Sequence, residues 1–423
     1  MRDRPTPTRL SNEVCHTICV LWLFVAVPIT FFVRPTYQDF SLYYMAGVCA
    51  RTGNFDALYP NVPPNTTELD CDPALLKPKL LALAKGWNVD LSMPYLQPAW
   101  NAIFFAPLTF LPYRLAHALW IAILILSTYG MTLFAAKTYR VCAPTESRMC
   151  GVAMLIVALS PLAYRTIRVG NVSAVVGLVI AFTTFEMARR DGVRSALAIW
   201  IGGILKYATV MFLPLLILTK RWRTIAWVGA FGVVTILMAY MIAGPGPFRD
   251  YTVIAQEIGK SIRYPGNQSL HGFLLRATHQ SPAPEWASVL LNGGQAVVGI
   301  GLLALIIRRR NELRTNPPIV FAAVVASVAW LMIFAPFFWD HYHIYFAPFW
   351  GWMLWEASQS MLKRVIAVAA ISLAWVPLPA ALWFHWPEPF GSYMLWSVCL
   401  MLVLAVMRLL ARNEPAVLRT AAN

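Results

Sequence analysis

Charge is scarce in this chain. Of 423 residues only 13% are Asp, Glu, Lys or Arg, and just 19 are acidic. A water-soluble protein carries roughly a quarter charged residues, so a soluble globular class is excluded. Cysteine is sparse and unpatterned: the seven present form no C-x-x-C pair, no zinc-type spacing and no haem-attachment motif. That leaves no thiolate metal centre to expect. Comparison of the two halves of the chain shows no internal repeat either. What is abundant is apolar surface, with 59% hydrophobic residues, 17 Trp and 23 Phe. These are the proportions of an integral membrane protein.

The net charge of +15 comes from short basic clusters between apolar runs: Arg2/Arg4/Arg9, Lys137/Arg140/Arg148, Arg189/Arg190/Arg194, Lys220/Arg221/Arg223, Arg308/Arg309/Arg310, Lys363/Arg364 and Arg408/Arg412. A nucleic-acid surface needs its cations on one contiguous face, and spacing by membrane-length runs argues against one. The pattern is that of positive residues retained on the cytoplasmic side, with contact to anionic lipid a further use.

Placing every cluster inside predicts an all-α polytopic protein with about twelve spans. Residues 1–14 form a cytoplasmic N-terminus and 15–243 an N-terminal transmembrane module. The first span, Cys15–Val33, lacks a small-residue cleavage site and reads as retained. A first outer loop covers 34–94, within which Phe40–Arg51 reads as an amphipathic surface helix. Tyr95–Leu111, broken by Pro98 and Pro107, reads as a re-entrant or outer-leaflet helix pair. Leu115–Ala136, Met149–Tyr164 and Val172–Ala188 cross in turn, and Ser195–Thr219 is expected to be two short spans meeting at Lys206. Ile225–Ala243 leads to a second outer loop, 244–284. The C-terminal helices of 285–412 follow as Ala287–Ile307, Ile319–Phe338, Tyr342–Glu356, Val365–Phe384 and Tyr393–Met407, before a cytoplasmic tail, 413–423.

On this map Cys15, Cys19 and Cys399 fall within spans and Cys142 and Cys150 face the cytoplasm. Cys49 and Cys71 share the outer loop, where a disulfide could close it. Three N-x-S/T sequons, at Asn65, Asn171 and Asn267, lie on the outer side; so short a pattern also arises by chance.

Polar groups gather at four outer places. The first holds Arg34, Tyr37, Gln38 and Asp39, with Tyr43 following. An acid ringed by aromatics near water suits a general base, and Asp39 before Phe-Ser-Leu equally suits a helix N-cap; one residue can do both. The second is Tyr95-Leu-Gln97-Pro, which also serves as a helix start. The third comprises Arg165, Arg168 and Gly170-Asn171, with Lys206 between half-spans. A lysine in an apolar run costs roughly 2.5–3.5 kcal/mol on insertion scales. A bound anion such as a lipid phosphate would offset that cost, and snorkelling to the headgroups is the alternative. The fourth is Asn267-Gln268-Ser with Arg276, together with Trp339-Asp340-His341-Tyr-His343. Asp340, His341 and His343 suggest a metal at first sight, but their spacing suits better a hydrogen-bonded pair that positions a hydroxyl or moves a proton.

Taken together, these motifs resemble glycosyltransferase family 87, the membrane mannosyltransferases of GT-C fold. The likeness rests on Asp39-Phe-Ser-Leu-Tyr-Tyr with Gly53 and Leu58-Tyr59, then Tyr95-Leu-Gln-Pro, Ala106-Pro-Leu and Leu111-Pro. It continues through Gly170-Asn-Val, Lys206-Tyr-Ala, Asn267-Gln-Ser-Leu with Arg276, and Trp339-Asp-His. That family usually has Tyr-Pro-Pro, Gly-Gln and two adjacent His where Tyr95-Leu-Gln-Pro, Gly170-Asn171 and His341-Tyr-His343 stand here.

The resemblance implies a GT-C-like bundle with outer-face juxtamembrane helices, located in the plasma (inner) membrane. It also implies transfer of a hexose, mannose favoured, from a polyprenyl-phosphate donor to a lipid or glycan acceptor. Asp39 would be the catalytic base and His341 would help at the acceptor. Lys206, with Arg165, Arg168 and Arg276, would hold the donor phosphate. Tyr43, Tyr95, Gln97, Asn171, Asn267, Gln268, Asp340 and His343 would line the substrates. No cofactor or metal is expected, since cations can balance the leaving phosphate. A transporter or flippase for a lipid-linked or small anionic solute is the alternative, because buried cations and broken helices also mark transport paths.

Overall fold

The computed structural model describes residues 7–33, 38–60, 75–91, 93–146, 148–189, 191–261, 266–280, 284–376 and 392–411. Arg34, Tyr37, Asn65, Cys71, the end of the expected span Val365–Phe384 and the C-terminal tail fall outside them. Among the described residues the fold is helical, without strands. Its helices are α1 (Pro7–Leu21), α2 (Val27–Val33), α3 (Gln38–Thr52), α4 (Pro78–Gly86), α5 (Ala99–Phe105), α6 (Tyr113–Cys142) and α7 (Arg148–Ala158). There follow α8 (Pro161–Val169), α9 (Ser173–Arg189), α10 (Val193–Leu205), α11 (Phe212–Leu218), α12 (Trp222–Ala243) and α13 (Gly246–Ser261). The last are α14 (Leu270–Thr278), α15 (Glu285–Arg308), α16 (Pro317–Phe334), α17 (Trp350–Gln359), α18 (Met361–Trp375) and α19 (Tyr393–Leu410).

Among the described residues seven helical stretches are long and apolar enough to cross a membrane: Ser11–Thr30, Tyr113–Cys142, Met149–Val169, Trp222–Ala243, Glu285–Arg308, Pro317–Phe334 and Tyr393–Leu410. The other expected crossings that lie wholly within the described residues are shorter pieces. Ala99–Phe110 is a helix followed by a 3-10 turn, as the prolines foretold, and Ser195–Thr219 divides at Lys206. Half of the expected span Tyr342–Glu356 is a ten-residue 3-10 helix, Asp340–Phe349, with Pro348 inside it. Pro348 cannot donate an intrahelical bond, which helps explain why the α-helix starts only at Trp350.

The breaks have local causes. Ser160 caps α8 by accepting from Ala163 N at 3.0 Å, with Pro161 in the first turn. Gly170 ends α8 at φ +72°, a left-handed position that suits glycine. Lys206 takes extended dihedrals between α10 and the 3-10 turn Tyr207–Met211. The second outer segment is largely helical, not a loop: α13 and α14 fill most of it. α3 is also not the surface helix expected. Phe40, Tyr43, Tyr44, Met45, Val48 and Cys49 are all buried beneath α5 and the Ala106–Phe110 turn, so apolar residues surround its axis.

α16 is the centre of the bundle, buried along nearly its whole length and packed against α19, α15 and α9. α6 and α17 approach closely where a Cβ on Gly351 would lie 1.9 Å from the Ala135 carbonyl oxygen. Gly351→Ala is therefore expected to force these backbones apart, at about 1–3 kcal/mol for an overpacked core. The thermal unfolding midpoint of detergent-purified protein should fall by several degrees, and an unchanged midpoint would contradict the close approach. Cys142 and Cys150 are buried, with Cys150 Sγ 3.6 Å from the Ala136 carbonyl oxygen.

Candidate active site

Four chain segments end together at one place. α3 starts with Asp39 in its first turn. The left-handed Gly170 turns the chain so that Asn171 opens α9, and Trp120 Nε1 holds that turn by donating to the Gly170 carbonyl at 2.8 Å. α10 stops at Lys206, and the connection after α16 delivers Trp339, Asp340 and His341. Of the helices that start or stop here, α9 ends in Arg189 and α10 has Arg194 in its first turn, both at the far end, and α16 follows Arg314, whereas α8 brings Arg165 and Arg168 to this end.

Between these termini lies a polar cavity of about 310 Å³. Asp39, Asn171, Lys206, Arg165, Asp340 and His341 line it, as do Tyr43, Tyr95 and Gln97, which the sequence also brought forward. Asn171 is the hub. Its Nδ2 donates to Asp39 Oδ2, while its Oδ1 accepts from Ser173 N at 2.9 Å, Ser173 Oγ at 2.6 Å and Lys206 Nζ at 3.3 Å. Lys206 is only 8% exposed, which rules out snorkelling. Its ammonium also donates to Ser173 Oγ at 3.3 Å and sits 3.3 Å from the centre of the Tyr342 ring, a cation–π contact.

Arg165 is ion-paired with the buried Asp340. Burial opposes ionisation of Asp340, but the hydrogen bond from His341 and the charge of Arg165 outweigh it and hold the carboxyl below its ordinary range. Burial pushes His341 the other way, below the usual imidazole value, toward the neutral ring. His341 Nδ1 lies 3.4 Å from Asp340 Oδ1, and Nε2 has no hydrogen-bond partner among the described residues. A neutral ring donating through Nδ1 leaves Nε2 as an acceptor. His343 does not converge with this pair, since its Nε2 faces Ser397 Oγ at 2.8 Å.

A second cavity, about 390 Å³ and mostly apolar, shares Leu96, Gln97, Lys206 and Tyr342 with the first. α16 and α13 wall it, the latter through Tyr251, whose hydroxyl bonds that of Tyr207 at 2.7 Å. Among the described residues Lys206 is its one cationic wall residue. A third cavity of about 570 Å³ between α11, α15 and α16 joins it at Gln295 and Trp330 and extends to Leu218 and Ile306.

Several expected site residues lie elsewhere. Arg276, Asn267, Gln268, His343 and Arg168 line neither of the first two cavities. Arg276 donates to the Asn267 carbonyl at 2.7 Å and to Ser392 Oγ at 3.0 Å. Asn267 Oδ1 accepts from Phe338 N at 3.0 Å, and Gln268 bonds the backbones of Phe338 and Met394. This buried clamp sets the segment from which Trp339 and Asp340 project. It gives Arg276, Asn267 and Gln268 partners within the protein in place of the donor-phosphate and substrate contacts expected of them, and His343 Nε2 is likewise paired with Ser397 Oγ.

The sequons at Asn171 and Asn267 share one local structure. Each asparagine Oδ1 accepts from the N–H and Oγ of the serine two residues on, at the start of a helix. Both asparagines are buried, so Asn-x-Ser here is a turn motif and not a glycan site. The sequence reading missed Tyr342 and Ser173, which hold the Lys206 ammonium. The aromatic between the two histidines was the available signal for Tyr342.

The model of glycosyltransferase family 87 matches residues 95–336. No curated protein and no solved structure matches the chain.

Proposed function

The chain belongs to glycosyltransferase family 87, and from that premise we propose that this membrane glycosyltransferase moves a hexose, mannose favoured, from a polyprenyl phosphate to an acceptor hydroxyl outside the membrane. The observation that carries the donor class is the junction of a polar and an apolar cavity at Lys206. An ammonium at that boundary suits a phosphate with sugar on one side and hydrocarbon on the other. The third cavity extends the apolar path for a long chain. The basic clusters at the far ends of α9 and α10 favour the outer face for the site.

In this reading Asp39 removes the acceptor proton as that oxygen bonds to the anomeric carbon. The bond from that carbon to the phosphate oxygen breaks on the opposite face, and polyprenyl phosphate departs with its charge balanced by Lys206. The configuration inverts, and no metal is required. Arg165 serves Asp340, whose hydrogen bond orients His341 so that Nε2 can accept a second acceptor hydroxyl. Gln97, Tyr43 and Tyr95 line the sugar space. The acceptor is a lipid or glycan hydroxyl.

The test uses purified protein in nanodiscs with the labelled sugar on a long polyprenyl phosphate, on a short water-soluble isoprenyl phosphate, or on a nucleotide. A crude membrane extract of acceptors is common to all three. Transfer with release of free polyprenyl phosphate is expected from the first donor, with at least about tenfold lower kcat/KM for the short chain, since each buried CH₂ contributes ~0.8 kcal/mol. Equal use of the nucleotide sugar would overturn the donor class. Movement of the intact lipid-linked sugar without cleavage would point to the flippase alternative.

A further inference from the structure

We propose that Asn171 is a positioning residue for the reaction, and that turnover depends on its donation to Asp39 and not on its acceptance from Lys206. The inference rests on the reading of Asp39 as general base.

The network fixes the orientation of the amide. Ser173 N and the Lys206 ammonium can only donate, so the side-chain oxygen of Asn171 must face them and its NH₂ must face the carboxylate. Flipping the amide would break three bonds at once. Among the described residues this is the one hydrogen bond that the Asp39 carboxylate receives. Asp39 also lines the cavity, where an acceptor hydroxyl would stand.

The asparagine is itself held firmly. It is 4% exposed and follows the Gly170 turn, where an added Cβ would come 2.8 Å from Cβ of Phe40, the residue after Asp39. That close seating sets the start of α9 against the start of α3. A carboxylate tied at one oxygen to a rigid helix start is steadied as an anion and aimed at the same time. Without the tie, Asp39 retains its chemistry and loses its aim.

The discriminating variants are Asn171→Asp and Asn171→Ala, assayed as full-length protein in nanodiscs with a labelled polyprenyl-phosphate sugar. Asn171→Asp keeps the size and still accepts from Ser173 and Lys206, but it sets a second carboxylate against Asp39 in place of the amide donor, and the two acids then share one proton. Both variants are expected to lose about 100-fold in kcat, the cost of a misplaced reacting group. In Asn171→Ala donor KM should stay within about threefold, so that the loss falls on kcat.

Lys206, His341, Tyr43 and Tyr342 face Asp39 from the other walls, with the Arg165–Asp340 pair beyond. All are retained in both variants, so the loss reports Asn171. A merely structural role would lower the yield of folded protein, counted by donor binding, and leave turnover per folded molecule unmoved. Near-normal kcat in Asn171→Asp, or a loss confined to donor KM, would overturn the proposal. An active Asp39→Asn enzyme would instead remove the reading of Asp39 on which it rests.

Discussion

Asp39→Asn is expected to cut transfer by about 10²–10⁴-fold, the range that general acid–base catalysis contributes, while donor affinity stays within about threefold. The substitution suits the site unusually well. Asn171 Nδ2 donates to Asp39 Oδ2, and an asparagine oxygen at that position can accept the same bond. The new NH₂ would then face the cavity, where it can donate to an acceptor hydroxyl but cannot take its proton. The packing of α3 rests on Phe40, Tyr43 and Tyr44, not on the carboxyl group. A large loss in kcat with intact folding would therefore be chemical in origin. The measurement is single-turnover transfer beside donor binding in the same nanodiscs, and turnover near wild type would dismiss Asp39 as the base. N-capping predicts a different outcome: asparagine caps as well as aspartate, so a cap alone would leave activity intact.

Much of this site was legible because the chain is so poor in charge. Each of Asp39, Lys206, Asp340 and Arg165 stood out against an apolar background, and each lines the polar cavity. The helix breaks were legible too, since Pro98, Pro107 and Lys206 disrupt apolar runs by simple local physics.

What stayed hidden was set by partners distant in sequence. Arg276 looked like a phosphate ligand until Ser392, 116 residues on, took one of its nitrogens. Gln268 meets Met394 126 residues away, and His343 meets Ser397. No local pattern encodes those pairings, so buried structural polar groups and substrate contacts read alike. α3 misled for a related reason. Its short stretch of mixed residues fits a surface helix, and only the approach of α5 and its 3-10 turn makes both faces interior. Tyr342 is one of 16 tyrosines, distinguished only by lying over an ammonium.

Lys206→Met should raise donor KM by roughly 10- to 100-fold, since a charge-assisted hydrogen bond contributes about 1.5–3 kcal/mol and each 1.4 kcal/mol is tenfold. It should also lower kcat, because negative charge grows on the phosphate oxygen as the sugar leaves. Removal of one such preorganised partner costs about 10²–10³. The fall in kcat/KM is thus the product of the two effects, about 10³–10⁵. Stability should move the other way or not at all. The ammonium is now held by Asn171 Oδ1, Ser173 Oγ and the face of Tyr342, three uncharged partners. Replacing a buried cation by an apolar side chain of similar length relieves desolvation. A lysine kept for the fold would give the opposite pattern, with a lower unfolding midpoint and normal kinetics for the folded fraction. The two are separated by measuring donor KM, kcat and thermal midpoint on one preparation. Tyr342→Phe serves as the control, because it retains the ring under the ammonium and should leave all three near wild type. An unchanged donor KM in Lys206→Met would remove the phosphate from the junction of the two cavities, and with it the reason for placing the sugar beside Asp39.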